Sequence, residues 1–144
     1  LPGNESLRTG QYYANPSNQF WSLIMENKYV SSYETRKQFL LNNHIAIWDV
    51  LQKANRIGSL DKNIFQEIPN DFDTFFADHP NIQYVFFNGK KAKDYFERYC
   101  PRWMITKTCK TLPSSSSALE MNFMIKKTKW QDALRVLKNE SILD

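Results

Sequence analysis

Apolar residues recur at helical spacing in some stretches of this chain and run continuously in others, and that contrast predicts its elements. Residues 1–18 are loop-like, punctuated by Pro2, Gly3, Gly10 and Pro16. A helix follows from Gln19, with Phe20, Trp21 and Ile24 on one face. Thr35–Asn43 is a second short helical stretch, Ala46–Val50 reads as a buried strand, and Asp61–Gln66 as a helical turn behind Ser59. Asp71 suits the cap of a helix whose Phe72, Phe75 and Phe76 stripe the core side and which Pro80 stops.

The second half is patterned more sharply. Ile82–Phe87 is a short apolar strand and Asn88-Gly89 a turn. Lys90–Tyr99 is an amphipathic helix with Ala92, Tyr95, Phe96 and Tyr99 at helical spacing. Trp103–Cys109 is expected as another strand, ahead of the loop Leu112-Pro113-Ser114-Ser115-Ser116-Ser117. Trp130, Ala133, Leu134 and Leu137 mark a last helix. Strands alternating with helices imply an α/β fold, a parallel sheet with helices on both faces.

Composition narrows this only a little. A chain of 144 residues, without internal repeat or linker, fits one domain spanning residues 1–144. Ten Phe, seven Tyr and four Trp are a globular composition, and a formal charge of +4 permits a polyanionic partner without requiring one. Cys100 and Cys109 are too few for a four-thiolate cluster or a disulfide scaffold, and read as reduced thiols of a cytoplasmic protein. No apolar run approaches a membrane span.

In open parallel sheets, ligands bind beyond the carboxyl ends of the strands. Three loops are expected there: residues 1–18, Asn88-Gly89 and Leu112–Ser117. Several familiar chemistries are disfavoured. His44 and His79 lie far apart with no ligand at metal spacing, so no metal or other cofactor is expected. Gly89-Lys90 lacks the rest of a nucleotide-phosphate loop, and the serines have no nucleophile elbow or evident histidine partner. Read alone, Asn18 suits a helix cap, Tyr13 a core-covering ring, Asn88-Gly89 a plain turn and the lysines solvated faces.

Four blocks, in order, give these residues a second reading. Gly10-Gln-Tyr-Tyr-Ala-Asn-Pro-Ser-Asn-Gln-Phe-Trp21 resembles the first active-site loop of the uracil-DNA glycosylase superfamily, closest to its hypoxanthine (deoxyinosine) DNA glycosylase branch. Ile47–Leu51 with Gly58–Asp61 is similar to the second block, and Val85–Ala92 to the third. Leu112–Ser116 resembles the DNA-contacting loop that often reads Leu-Pro-Ser-Thr-Ser-Pro in that family.

The resemblance implies a three-layer α/β/α fold with a short, mostly parallel four-stranded sheet, its first strand lying upstream of residue 1. It implies a monomeric, monofunctional hydrolase that flips a deaminated base from double-stranded DNA and cleaves its N-glycosidic bond. Asn18 matches the catalytic asparagine of the branch and would orient a water; Leu1 stands where other branches keep an Asp or Asn. Tyr13 would stack on the extruded base. Asn88 would read the base edge, donating to a carbonyl oxygen and accepting from the adjacent ring N–H, a pattern that uracil and hypoxanthine share and adenine and cytosine reverse. Backbone N–H groups around Gly3 would receive the departing base, Ser114, Ser115 and Ser116 the phosphates, and Leu119 would fill the vacated stack. Lys90, Lys91 and Lys93, with Lys107, Lys110, Lys126 and Lys127, would form a phosphate track. The chain departs from the pattern at Asn15, often His, at Ser17, often Arg, and in its run of four serines. Hypoxanthine is the expected base. A uracil or mismatched-pyrimidine glycosylase and a non-catalytic DNA-binding relative are the alternatives.

Overall fold

A computed structural model of the chain describes residues 13, 18–25, 32–56 and 64–143. In order, the elements are α1 (Phe20–Ile24), α2 (Tyr33–Asn42), β1 (Leu51–Arg56), β2 (Ile64–Pro69), α3 (Phe72–Asp78), β3 (Tyr84–Asn88), α4 (Lys90–Tyr99), α5 (Pro101–Thr106), β4 (Thr108–Leu112) and α6 (Phe123–Leu143). Local chemistry explains several starts. The Ser32 hydroxyl caps α2 by accepting from the Thr35 N–H at 3.0 Å. Asp71 caps α3 by accepting from the Thr74 N–H at 3.1 Å and from its hydroxyl at 2.7 Å.

β3 and β4 form a parallel pair in register from Tyr84↔Thr108 to Asn88↔Leu112. The period-2 alternation of strand side chains sends neighbouring residues to opposite faces. Val85, Phe87 and Cys109 join a core with Phe72 and Phe76 of α3, Phe96 of α4 and Trp103 and Met104 of α5. Phe86 and Leu112 join another, built from Phe20, Trp21, Leu23 and Ile24 of α1 and Trp130 and Ala133 of α6. Four phenylalanines centre the first core, with Phe96 meeting Phe72, Phe76 and Phe87 edge-on or tilted at centroid distances of 5.1–6.4 Å. Burial within it pushes the Cys100 thiol up to about 11, with Asp73 and Asp71 adding to the effect, so this cysteine packs as a protonated thiol.

Four expectations are revised by the described residues. The parallel sheet of the described residues has two strands, because β1 and β2 pair only with each other and antiparallel, with register irregularities between Leu51 and Lys53 and between Lys53 and Asn55. Ala46–Val50 is not a sheet strand. Its apolar side chains serve both cores, Ile47 one and Val50 the other, while Asn70 bonds the carbonyls of Asp49 and Val50 from its side chain and main chain. The helical turn expected over Asp61–Gln66 lies partly outside the described residues, and its remainder, from Ile64, is strand.

Trp103–Cys109 likewise divides into the end of α5 and the start of β4. Pro101 sits at the first position of α5, where its fixed φ favours a helix and its missing N–H costs nothing. Trp103 and Met104 then reach the core whereas Ile105 is exposed, a helical distribution that a short apolar run does not reveal. Among the described residues, no helix is long and apolar enough to cross a membrane.

Candidate active site

Asn88 closes β3 opposite Leu112, which closes β4, so the turn after one strand lies beside the serine loop after the other. Gly89 makes this possible. Its φ of 96° is a conformation that L side chains rarely adopt, and its N–H donates to the Leu112 carbonyl at 2.9 Å. A Cβ here would lie 3.1 Å from Ser114 Cβ, so only glycine lets the serine loop rest on the turn.

The start of α1 docks against the same loop. The Gln19 N–H donates to the Ser115 carbonyl at 2.9 Å. Asn18 Oδ1 accepts from the Phe20 N–H at 2.9 Å, capping the helix, and from the Ser115 hydroxyl at 2.9 Å. Ser115 also engages Asn88 twice: its N–H donates to Asn88 Oδ1 and its Oγ accepts from Asn88 Nδ2, both at 2.8 Å. Asn88 Nδ2 donates further to the Tyr13 hydroxyl at 3.0 Å. Tyr13, held at a positive φ of 53°, stacks on Phe20 with ring centroids 4.0 Å apart and planes 21° from parallel. Tyr13, Asn18 and Asn88 are each half-buried, whereas Ser115 is 1% exposed. Asn18 and Asn88, from distant segments, therefore meet on one serine, and Tyr13 joins them through Asn88.

Beneath the loop the bonding continues. Trp130 Nε1 donates to the Pro113 carbonyl at 2.7 Å. Lys126 is wholly buried, and its ammonium donates to Gln19 Oε1 at 2.8 Å and, at longer range, to the carbonyls of Ser116 and Leu119. Burial lowers its pKa. The hydroxyls of Ser114 and Ser116 accept from the N–H groups of Ser116 and Ala118, each at 3.1 Å, holding the loop in two tight turns.

The structure thus gathers Tyr13, Asn18 and Asn88, with Asn18 bonded both to the first N–H of α1 and to Ser115. Gly3 lies outside the described residues. Lys90 is exposed in the first turn of α4, and Ser114 and Ser116 are half-buried on the loop. Ser115 is corrected: expected among the phosphate contacts, it lies under the loop with its N–H, carbonyl and hydroxyl all engaged. Lys126 and Lys107 leave the expected track. Lys126 is spent under the loop, and Lys107 precedes β4, at the far end of the strand from Leu112, where it bonds the Ile82 carbonyl and lies over Phe76 and Trp103. Nothing in a run of four serines indicates which hydroxyl turns inward, and nothing local marks Lys126 as buried. Among the described residues, no cluster of His, Cys, Asp or Glu is arranged to hold a metal.

No protein-family profile matches the chain. It is 38% identical over 139 residues to a hypoxanthine DNA glycosylase of Methanosarcina acetivorans, an alignment covering 94% of this chain and 86% of that protein. A hypoxanthine DNA glycosylase of Methanosarcina barkeri is 37% identical over the same lengths. A solution NMR structure of a Methanosarcina acetivorans protein, provisionally described as a uracil DNA glycosylase, superposes with a TM-score of 0.79 at 36% identity, covering 96% of this chain and 86% of that one. The mixed α/β fold with its small parallel sheet is shared with that structure. The chain belongs to the hypoxanthine DNA glycosylase family.

Proposed function

We propose that this protein is a monofunctional DNA glycosylase that removes hypoxanthine from double-stranded DNA by hydrolysis. The observation that carries the reading is the convergence of Asn18 and Asn88 on Ser115, with Tyr13 bonded to Asn88, at the carboxyl ends of β3 and β4. Identity of 37–38% to two proteins named for that activity supports it. In the reaction, the base swings out of the duplex, the C1′–N bond breaks with its electron pair leaving on the base, and a water oxygen bonds C1′. The water's proton passes to solvent and the base is reprotonated, leaving an abasic site.

Each residue has a role in this reading. Tyr13 carries the base on the ring face away from Phe20, a stack worth ~1–3 kcal/mol. Asn88 reads the carbonyl and ring N–H of the base edge, exchanging its bond to the Tyr13 hydroxyl for one to the base oxygen. Asn18 stands at the sugar. Gly3 contributes to the receiving loop. Ser114 and Ser116 accept main-chain N–H groups, so their own protons remain to donate to phosphates, joined by Lys90. Leu119, 38% exposed beside the loop, suits the gap left in the stack. The three-layer arrangement, a monomeric state and work in the cytoplasm accompany this reading.

Uracil is the second candidate base, because Asn88 presents the same pattern to it and the matching solved structure carries that description. Incubation with deoxyinosine-containing and deoxyuridine-containing duplexes, followed by hot alkali, tests the proposal. Strand breaks at deoxyinosine are expected. Breaks at deoxyuridine alone would move the assignment to uracil, and binding without breaks on either duplex would make the protein a non-catalytic relative.

A further inference from the structure

We infer that Ser115 positions Asn18 as a hydrogen-bond donor in the reaction, aimed at the departing base, and that Asn18 does not take a proton from water. The inference rests on the glycosylase reading above and follows from the direction of the bonds. A main-chain N–H can only donate, so the Phe20 N–H fixes which end of the Asn18 carboxamide is oxygen. The Ser115 N–H fixes Asn88 in the same way, turning Asn88 Nδ2 toward Ser115 Oγ. That hydroxyl already accepts from Asn88, and its own proton goes to Asn18 Oδ1. Both lone pairs of Asn18 Oδ1 are then occupied, by Phe20 and by Ser115. Asn18 Nδ2 takes no part in these bonds, and the residue is half-buried. What Asn18 has left to offer a bound substrate is N–H.

An N–H donor is poorly suited to activating a nucleophile, since its bond draws electron density away from the water oxygen that must attack. It is well suited to the base, which carries the electron pair of the broken C1′–N bond on its ring nitrogens as the sugar acquires oxocarbenium character. A fixed donor aimed at developing negative charge commonly contributes 10²–10³ in rate.

Asn18→Asp separates the two roles. Aspartate is as good a cap as asparagine and can accept the same bonds from Phe20 and Ser115, so the fold is retained. Its outward atom becomes an acceptor. Single-turnover excision from a deoxyinosine duplex is expected to fall roughly 100-fold in Asn18→Asp, to the level of Asn18→Ala. An Asn18→Asp enzyme that keeps wild-type rate, or gains rate as the carboxylate ionises, would overturn the donor role. Ser115→Ala is expected to lose about tenfold in the same assay, Ser115→Thr to recover most of it, and Ser115→Ala to change nothing further in the Asn18→Ala background. An equal tenfold loss in both backgrounds would remove Ser115 as the positioning group. If wild-type enzyme releases no base, the glycosylase reading itself fails, an outcome distinct from either of these.

Discussion

Several helices of this protein begin with a side chain that accepts a main-chain N–H, and the starts of α1 and α3 show how differently that oxygen can be used. At α3, both oxygens of Asp71 are used within three residues, on the N–H and hydroxyl of Thr74. At α1, Asn18 accepts from Phe20 and then from Ser115, 97 residues away. The first device holds a helix. The second holds a helix, a loop and, through Asn88, the end of a strand. A cap that closes on itself stabilises locally, whereas one that shares its oxygen joins elements that have no sequence proximity.

The largest effect that would test this contrast is on rate. Asn18→Ala is expected to lower single-turnover excision roughly 100-fold, the scale of a lost donor, and to lower Tm by at least as much as the loss of a local cap. Asp71→Ala is expected to leave that rate unchanged. A comparable rate loss in both would erase the distinction between the two caps. Gly89→Ala comes next. It imposes a strained backbone and pushes on Ser114, so it is expected to destabilise by roughly 1–3 kcal/mol, read by denaturant unfolding, and to slow excision by displacing the loop. An unchanged rate would mean that the loop's seat on the turn is not needed by the site.

The smallest effect is that of Asp71→Ala on stability, a fall of about 2–4 °C in Tm. Its pH dependence sharpens the comparison. Bonds from the Thr74 side chain and main chain hold the Asp71 carboxyl below its ordinary 3.8. Its contribution is therefore full above that value and is lost as pH falls through the lower, folded-state pKa. The Tm gap between wild type and Asp71→Ala is expected to close on acidification below about 3.8, whereas Asn18 does not titrate and its variant's gap is expected to stay constant over the same window.

Legibility follows the same divide. Asp71, the Phe72 and Phe76 stripe, the strand expected over Ile82–Phe87 and found at Tyr84–Asn88, and the helix Lys90–Tyr99 were readable because their determinants lie within one or two turns of chain. The start at Gln19 and the final helix through Trp130 and Ala133 were readable for the same reason. Trp103–Cys109 was misread because a short apolar run fits a buried strand and a helix face equally well, and Pro101 was the deciding residue. Ala46–Val50 misled for another reason, since its apolar residues divide between two cores. Tyr13, Asn18 and Asn88 were named from a family resemblance and from chemistry. Their meeting point was not, because choosing Ser115 from four adjacent serines requires knowing that the Gln19 N–H will bond its carbonyl.

Ser115 is reached from the start of α1, from β3 and from its own loop ahead of α6, so no contiguous piece of the chain contains the cluster. It comes into being only when α1 has packed against α6. Heat or denaturant that loosens α1 from α6 dismantles the chemistry at the same moment as the packing.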